Sequence, residues 1–177
     1  MNAPPARLSA WDPICAAASE LKATFVEPTR ARVFEALRVL KDVSGVPPEV
    51  EDDLAVDAFA FVVVDLLARD AGLRSDRRDT LLHLLAAQIF HSPRNPSITN
   101  REFFWNFLNE LAGEYRGSLS RAGRAPTLHV LLDRFLHHYR LHGEENADVV
   151  DGLDRLLAPL VEVARRVLQD RQDAIND

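Results

Sequence analysis

A chain of 177 residues with a formal net charge of −6 is long enough to form one packed domain without disulfides. The negative charge argues against general binding of a nucleic-acid backbone. Cys15 is the single cysteine, which excludes an internal disulfide and a zinc site built from cysteines. The first residues lack a secretory signal pattern, and the longest uncharged apolar run, residues 58–64, is far shorter than a membrane span. We therefore expect a cytoplasmic protein with neither a nucleic-acid nor a membrane partner.

Two helices are predicted in the first quarter of the chain. Residues 1–10 are rich in proline and alanine and are predicted to be flexible. Asp12 is a candidate N-cap, and the proline that follows it suits the first position of a helix that runs to about residue 26. Pro28 is predicted to end that helix, because a proline in a helix interior removes a backbone hydrogen bond. A second helix is predicted over residues 29–43.

The most apolar part of the chain is the stretch 54–68, which reads LAVDAFAFVVVDLLA and is interrupted only by Asp57 and Asp65. Its three consecutive valines favour a strand. However, residues 49–71 contain neither Pro nor Gly, and this length is much greater than that of a usual strand. A helix that is apolar on nearly all sides is normally enclosed by others. We therefore predict that a central hydrophobic helix spans about residues 49–71.

Four more helices are predicted after this central helix. They cover residues 75–91, a stretch that begins at residue 99 and is weakened at its end by Gly113, Gly117 and Gly123, residues 126–142 and residues 147–171. Thr99 and Glu102 match a capping box, in which a hydroxyl and a carboxylate each satisfy a free backbone amide. The glycine-containing segment 117–125 is predicted to be a flexible basic connector, and residues 172–177 are predicted to fray.

These elements predict an all-α protein. We expect a single-domain orthogonal or irregular bundle of six or seven helices over residues 11–171. The pattern D-x-x-D-x-L-x-x-L-L-A occurs at residues 76–86 and again at residues 148–158. This repeat favours a duplicated helical hairpin, residues 54–90 and 126–171, but amphipathic Leu/Ala helices with acidic first turns also resemble one another by chance.

Asp57 and Asp65 are the first candidates for chemistry. They lie about 80° apart around a helix and two turns apart along it, so both can face one interior groove. If the helix is enclosed, each carboxylate must be paired, hydrogen-bonded or bound to a metal, because an unpaired buried charge is very costly. The structural interpretation is that each carboxylate meets an arginine, a hydroxyl or a backbone amide.

A histidine-rich helix supplies a candidate metal site. His129, Asp133 and His137 follow one another at intervals of four residues and therefore share one stripe. Imidazole and carboxylate groups on adjacent turns can bind one divalent metal. The sequence contains no His-Glu-x-x-His motif and no Glu-x-x-His pair, and an Asp–His pair at this spacing is more often a surface hydrogen bond. The metal site is therefore the alternative interpretation.

The helix that begins near residue 100 carries a run of aromatic side chains. They are Phe103, Phe104, Trp105 and Phe107, and the basic residues Arg101, Arg121 and Arg124 lie nearby in sequence. These rings cover more than one helix face, so at least one large ring is expected at the surface, where it would bind a partner. The opposing interpretation places all four rings in the core.

The sequence shows no nucleophile motif and no phosphate-binding glycine loop. Our leading hypothesis is a non-catalytic interaction or regulatory module, without a cofactor, that binds a protein partner or self-associates through the aromatic helix. One alternative is a metal-dependent helical enzyme or metal-binding protein that uses the His/Asp cluster. Another is a protein that binds a small apolar ligand in a pocket lined by Phe61 and the aromatic run.

Overall fold

The computed structural model describes residues 12–44, 51–90, 101–123, 127–137 and 145–177. These ranges are helical and contain no β-strand, so the predicted all-α helical bundle is confirmed. The helices are α1 Asp12–Leu21, a π-helical turn Lys22–Val26, α2 Glu27–Ser44, α3 Glu51–Asp70, α4 Ser75–Phe90, α5 Arg101–Arg121, α6 Thr127–His137 and α7 Glu145–Asn176. Within the described residues, none of these helices combines the length and apolar character that crossing a membrane requires.

Helix α3 is the centre of the bundle. Every residue from Leu54 to Asp65 is buried, the two aspartates included. The helix contacts α2, α4, α5, α6 and α7, so it has no side left for solvent over this stretch. The prediction of a central hydrophobic helix is therefore confirmed. The valines that favour a strand are accommodated because burial on all sides outweighs their weak local preference.

The segment around Pro28 differs from the prediction. The chain does not end a helix there but continues without interruption from α1 through the π-helical turn into α2. In this turn the backbone N–H of Glu27 donates to the carbonyl of Lys22, five residues earlier. The wider turn lies immediately before the proline, where a regular α-helical hydrogen bond would be lost. The predicted break at Pro28 was therefore wrong, because a local widening of the helix absorbs the proline.

The turn between α3 and α4 is closed by a Schellman motif. Gly72 has a φ of 76°, the N–H of Gly72 donates to the carbonyl of Arg69 at 2.9 Å, and that of Leu73 donates to Ala68 at 3.0 Å. The corresponding turn of the proposed second hairpin falls in residues 138–144, outside the described residues. The duplication therefore stays a prediction.

The C-terminal end of α7 packs against this same turn. Ile175 is fully buried, and the Asn176 side chain accepts from the Arg74 N–H at 3.0 Å and donates to the carbonyl of Gly72 at 3.2 Å. Residues 172–177, for which fraying is predicted, therefore include a last helical turn that contacts the rest of the bundle. Helix α7 also extends beyond the predicted end at residue 171, because tertiary contacts hold its last turn.

Helix α5 is likewise longer than its glycines suggested. It continues through Gly113 and Gly117 to Arg121, and the chain turns at Gly123, which has a φ of 62°. A Cβ at Gly113 or Gly117 would meet no atom within 4 Å, so these glycines are not needed for close packing. Packing of the α5 apolar face outweighs their unfavourable helix propensity. The expected connector therefore begins later than residue 117.

Tyr115 links α5 to the core. It is fully buried, and its ring packs edge-on against Phe59 of α3 with ring centroids 6.4 Å apart. Burial raises the pKa of the Tyr115 hydroxyl above its usual value of 10.0, while the charge of Arg134 acts in the lowering direction and that of Glu114 in the raising direction. The phenol is therefore neutral wherever the protein is folded at moderate pH.

This buried phenol predicts a stability loss in alkali. The folded chain keeps the Tyr115 proton at pH values where the unfolded chain loses it, so the stabilisation is complete below the unfolded pKa and is lost as the pH rises above it. We expect the free energy of unfolding to fall by about 1.4 kcal/mol per pH unit more in the wild type than in Tyr115→Phe once the pH exceeds about 10. Urea unfolding of both proteins between about pH 9 and about pH 11 measures this difference. Equal slopes would contradict a buried neutral phenol.

Candidate functional site

Asp57 is bound to an arginine in the interior of the bundle. Arg30 of α2 donates through Nη2 to Asp57 Oδ1 and, at 2.5 Å, to Oδ2, and both side chains are completely buried. The prediction that a protein group such as an arginine compensates the Asp57 carboxylate is therefore confirmed. Because neither side chain reaches solvent, the pair joins α2 to α3 and has no access to a ligand.

Asp65 is bound to two arginines from two other helices. Its Oδ2 accepts from Arg116 of α5, with Nη2 at 2.6 Å and Nε at 3.2 Å. Its Oδ1 lies 3.2 Å from Nε of Arg78 on α4. The Asp65 side chain is 3% exposed, whereas those of Arg78 and Arg116 are 21% and 42% exposed. The carboxylate therefore lies beneath two guanidinium groups that remain in contact with solvent.

These groups form one end of a cleft of about 510 Å³ between α3, α4 and α5, which we call the Trp105 cleft. Its charged residues are Asp65, Arg69, Arg78, Asp79 and Arg116, and its apolar and aromatic walls come from Phe61, Leu82, His83 and Trp105, with Asn109 beside them. The cleft thus combines an arginine-rich end with an aromatic wall. That combination can hold an anionic group together with an apolar body.

Trp105 is held in place on two sides. Its ring stacks on His83 with centroids 3.8 Å apart and planes 26° apart, and it meets Phe61 edge-on at 5.9 Å and 83°. The next turn of α5 adds a hydrogen bond from Asn109 Nδ2 to the Trp105 carbonyl at 2.9 Å. Trp105 is half-buried, so part of the ring remains accessible at the cleft. A rigid, partly exposed tryptophan loses little conformational entropy on binding.

Comparison with known protein families, curated proteins and solved structures finds no match to this chain. The interpretation of the Trp105 cleft therefore depends on the geometry and charge of its own residues.

The described rings among those predicted to bind a partner differ in burial. Phe104, one of the predicted partner contacts, is buried and packs against Phe90 with ring centroids 5.6 Å apart, so it offers little accessible surface. Its stripe continues through Leu108 to Tyr115 and faces the core. Phe107 is half-buried against the same core. Among Phe104, Trp105 and Phe107, only Trp105 lines the cleft.

The predicted arginines are also separated. Arg121 is exposed at the other end of α5, roughly 24 Å along the helix from Trp105. Arg124 and the side chains of Arg101 and Phe103 lie outside the described residues, so their predicted role in partner binding stays a prediction.

The predicted metal ligands line a second, open cleft of about 690 Å³ between the end of α5, α6 and α7. There His129 Nε2 lies 3.5 Å from Asp154 Oδ2 and 3.8 Å from Asp151 Oδ1, while Asp133 and His137 are exposed. In the part of the chain that the structure describes, no three His, Cys, Asp or Glu side chains are grouped so that they could hold one metal ion. The partners of His129 are thus carboxylates of α7, which sequence reasoning did not select.

The sequence patterns did not predict that Arg78, Arg116 and His83 lie in the same cleft as Asp65. The strongest available signal was the pair of aspartates in an enclosed helix, which required compensating charges. It could not identify the arginines, because α4 and α5 supply them from positions far along the chain. In the folded chain the His83 ring stacks on Trp105, and its Nδ1 lies 2.9 Å from the Asp79 carbonyl oxygen.

Proposed function

We propose that this chain is a cytoplasmic, non-catalytic interaction or regulatory module that binds a segment of a protein partner in the Trp105 cleft. The observation that supports this proposal most directly is the half-buried Trp105, fixed between His83 and Phe61 at the wall of a cleft that also contains arginines. Tryptophan and arginine are the residues most enriched at the energetic centres of protein interfaces.

The dimensions of the cleft agree with a short protein segment. A volume of about 510 Å³ accommodates a few side chains, and the cleft is open to solvent along α4 and α5. Its aromatic wall would bury an apolar side chain, and its charged end would bind a polar one. A protein segment carries both kinds of group within two or three residues.

The same lining opposes a purely apolar small ligand. Phe61 does line the cleft, as the alternative hypothesis requires, but five charged side chains line it as well. A purely apolar ligand would take water from these charges without replacing their hydrogen bonds, which is energetically costly. An amphipathic segment avoids this cost.

Selection of displayed random peptides of about twelve residues tests the proposal without knowledge of the partner. We expect the wild type to enrich a family of related peptides that bind Trp105→Ala at least tenfold more weakly, since loss of an interface tryptophan costs about 2 kcal/mol or more. Phe107→Ala is the matched control, because Phe107 is also a half-buried ring of α5 but does not line the cleft.

Circular dichroism would establish that both variants are folded. Two results would contradict the proposal: no enriched peptide family on the wild type, or enriched peptides that bind Trp105→Ala and the wild type equally. Equal weakening by both variants would contradict it too, because the effect would then not depend on the cleft.

A further inference from the structure

The charges of the Trp105 cleft do not balance. Three arginines, Arg69, Arg78 and Arg116, line it together with only two aspartates, Asp65 and Asp79. One positive charge is therefore in excess at this point of a chain whose formal net charge is −6. A local excess of positive charge in a concave site attracts an anionic group.

Asp65 holds two of these arginines in position. Arg116 directs Nε and Nη2 to a single oxygen of Asp65, and Nε of Arg78 lies 3.2 Å from the other oxygen. A guanidinium has five N–H donors, so these contacts do not exhaust either group. Since Arg116 is 42% exposed and Arg78 is 21% exposed, the remaining N–H groups are accessible to a ligand. The buried carboxylate thus orients the arginines before any ligand arrives, which reduces the entropic cost of binding.

The balance of charge favours a single carboxylate over a polyanion. One bound carboxylate neutralises the one positive charge in excess, and the planar guanidinium fork matches carboxylate geometry. A nucleic acid would bring many negative charges close to Asp79 and to an acidic chain, and it would find no extended basic stripe at this cleft. The aromatic wall of Trp105 and His83 lies in the same cleft and would bind the apolar group next to the carboxylate.

We infer that the Trp105 cleft contains an anion-binding subsite, formed by Arg78 and Arg116 on the buried Asp65, that binds an acidic side chain of a protein segment while Trp105 binds a neighbouring apolar or aromatic side chain. This inference rests on the proposed function, because it names the chemistry of the segment that enters the cleft.

Two small probes separate the contribution of the carboxylate from that of the ring. N-acetyl-L-phenylalanine carries both groups, whereas N-acetyl-L-phenylalaninamide carries the ring without the charge. Each is titrated into the full ¹⁵N-labelled chain while the indole N–H of Trp105 and the Nε–H of Arg116 are followed by NMR. We expect the carboxylate probe to bind at least about tenfold more tightly than the amide probe.

Variants test whether the oriented arginine pair is responsible for that difference. Arg116→Gln is expected to reduce the affinity for the carboxylate probe to that for the amide probe and to leave the amide probe unchanged. The double variant Asp65→Asn with Arg116→Gln keeps the formal charge of the cleft and leaves no unpaired buried carboxylate, and we expect the same loss from it. Arg166→Gln is the control, because that side chain is 71% exposed and lies outside the cleft.

The outcomes distinguish the subsite from the proposed function. Equal binding of the two probes to the wild type, with a shift of the Trp105 indole, would overturn the subsite and leave a partner site of apolar character. Retention of the carboxylate preference in the double variant would also overturn it, since net charge would then be sufficient. If a short RNA oligonucleotide competes with the carboxylate probe more strongly than acetate does, the ligand of the subsite would be a nucleic acid and not an acidic protein segment. If neither probe shifts the NMR signals of the Trp105 indole or of Arg116 Nε–H, the subsite is overturned. The peptide selection would still test the proposed function.

Discussion

Replacement of Arg30 by leucine is expected to lower the free energy of unfolding by about 3–5 kcal/mol, because it leaves the Asp57 carboxylate buried without its guanidinium partner. Arg30 and Asp57 are both completely inaccessible to solvent, and Nη2 of the arginine contacts both carboxylate oxygens. Urea or thermal unfolding followed by circular dichroism would measure the loss.

Two comparisons show whether the effect arises from an unpaired charge. The double variant Arg30→Met with Asp57→Leu removes both charges and is expected to recover most of the lost stability. Arg165→Ala removes an exposed ion pair, in which Arg165 Nε lies 3.4 Å from Glu162, and is expected to cost less than about 1 kcal/mol. A loss below about 1 kcal/mol in Arg30→Leu would contradict the buried pair described above.

Substitution of Phe104 by alanine is expected to cost about 3–5 kcal/mol of stability, since it empties the space of a buried ring and removes the contact with Phe90. The neighbouring Trp105→Ala is expected to cost less, about 1–2 kcal/mol, because its ring is only half-buried. The two residues are adjacent in sequence and differ mainly in the side of α5 that they occupy. Denaturant unfolding of both variants measures the difference.

Binding is expected to rank these variants in the opposite order. Peptides enriched on the wild type should bind Phe104→Ala with nearly unchanged affinity under conditions where that variant is folded, and should bind Trp105→Ala at least about tenfold more weakly. Loss of peptide binding in folded Phe104→Ala would instead indicate that the core position shapes the cleft. Equal stability losses in the two variants would contradict the different burial of the two rings.

The helical class of the protein followed from local patterns. The stretch 54–68 lies in a segment that is too long for a usual strand and contains neither Pro nor Gly, which predicts a helix. Nearly every side chain in it is apolar, which predicts that other helices enclose it. That enclosure in turn required partners for Asp57 and Asp65, and arginine was among those anticipated.

Two features of the fold could not be predicted from local sequence patterns. Local rules place Pro28 at a helix end, but the π-helical turn before it allows the helix to continue through the proline. The last turn of α7 is ordered by contacts with Gly72 and Arg74, residues that lie about a hundred positions earlier in the chain. Local propensity describes a segment in isolation, whereas the last turn of α7 contacts neighbours that it meets only after folding.

Local sequence patterns were enough to predict that this chain forms helices, that α3 is enclosed and that its two aspartates need compensating charges, because each of these follows from a short segment. The folded chain was needed to show that Arg30 pairs with Asp57, that Arg78 and Arg116 converge on Asp65, and that Trp105 stacks on His83 beside them. The reason is geometric: which side chains meet depends on how α3, α4 and α5 cross, and those crossings are set by the packing of the whole core.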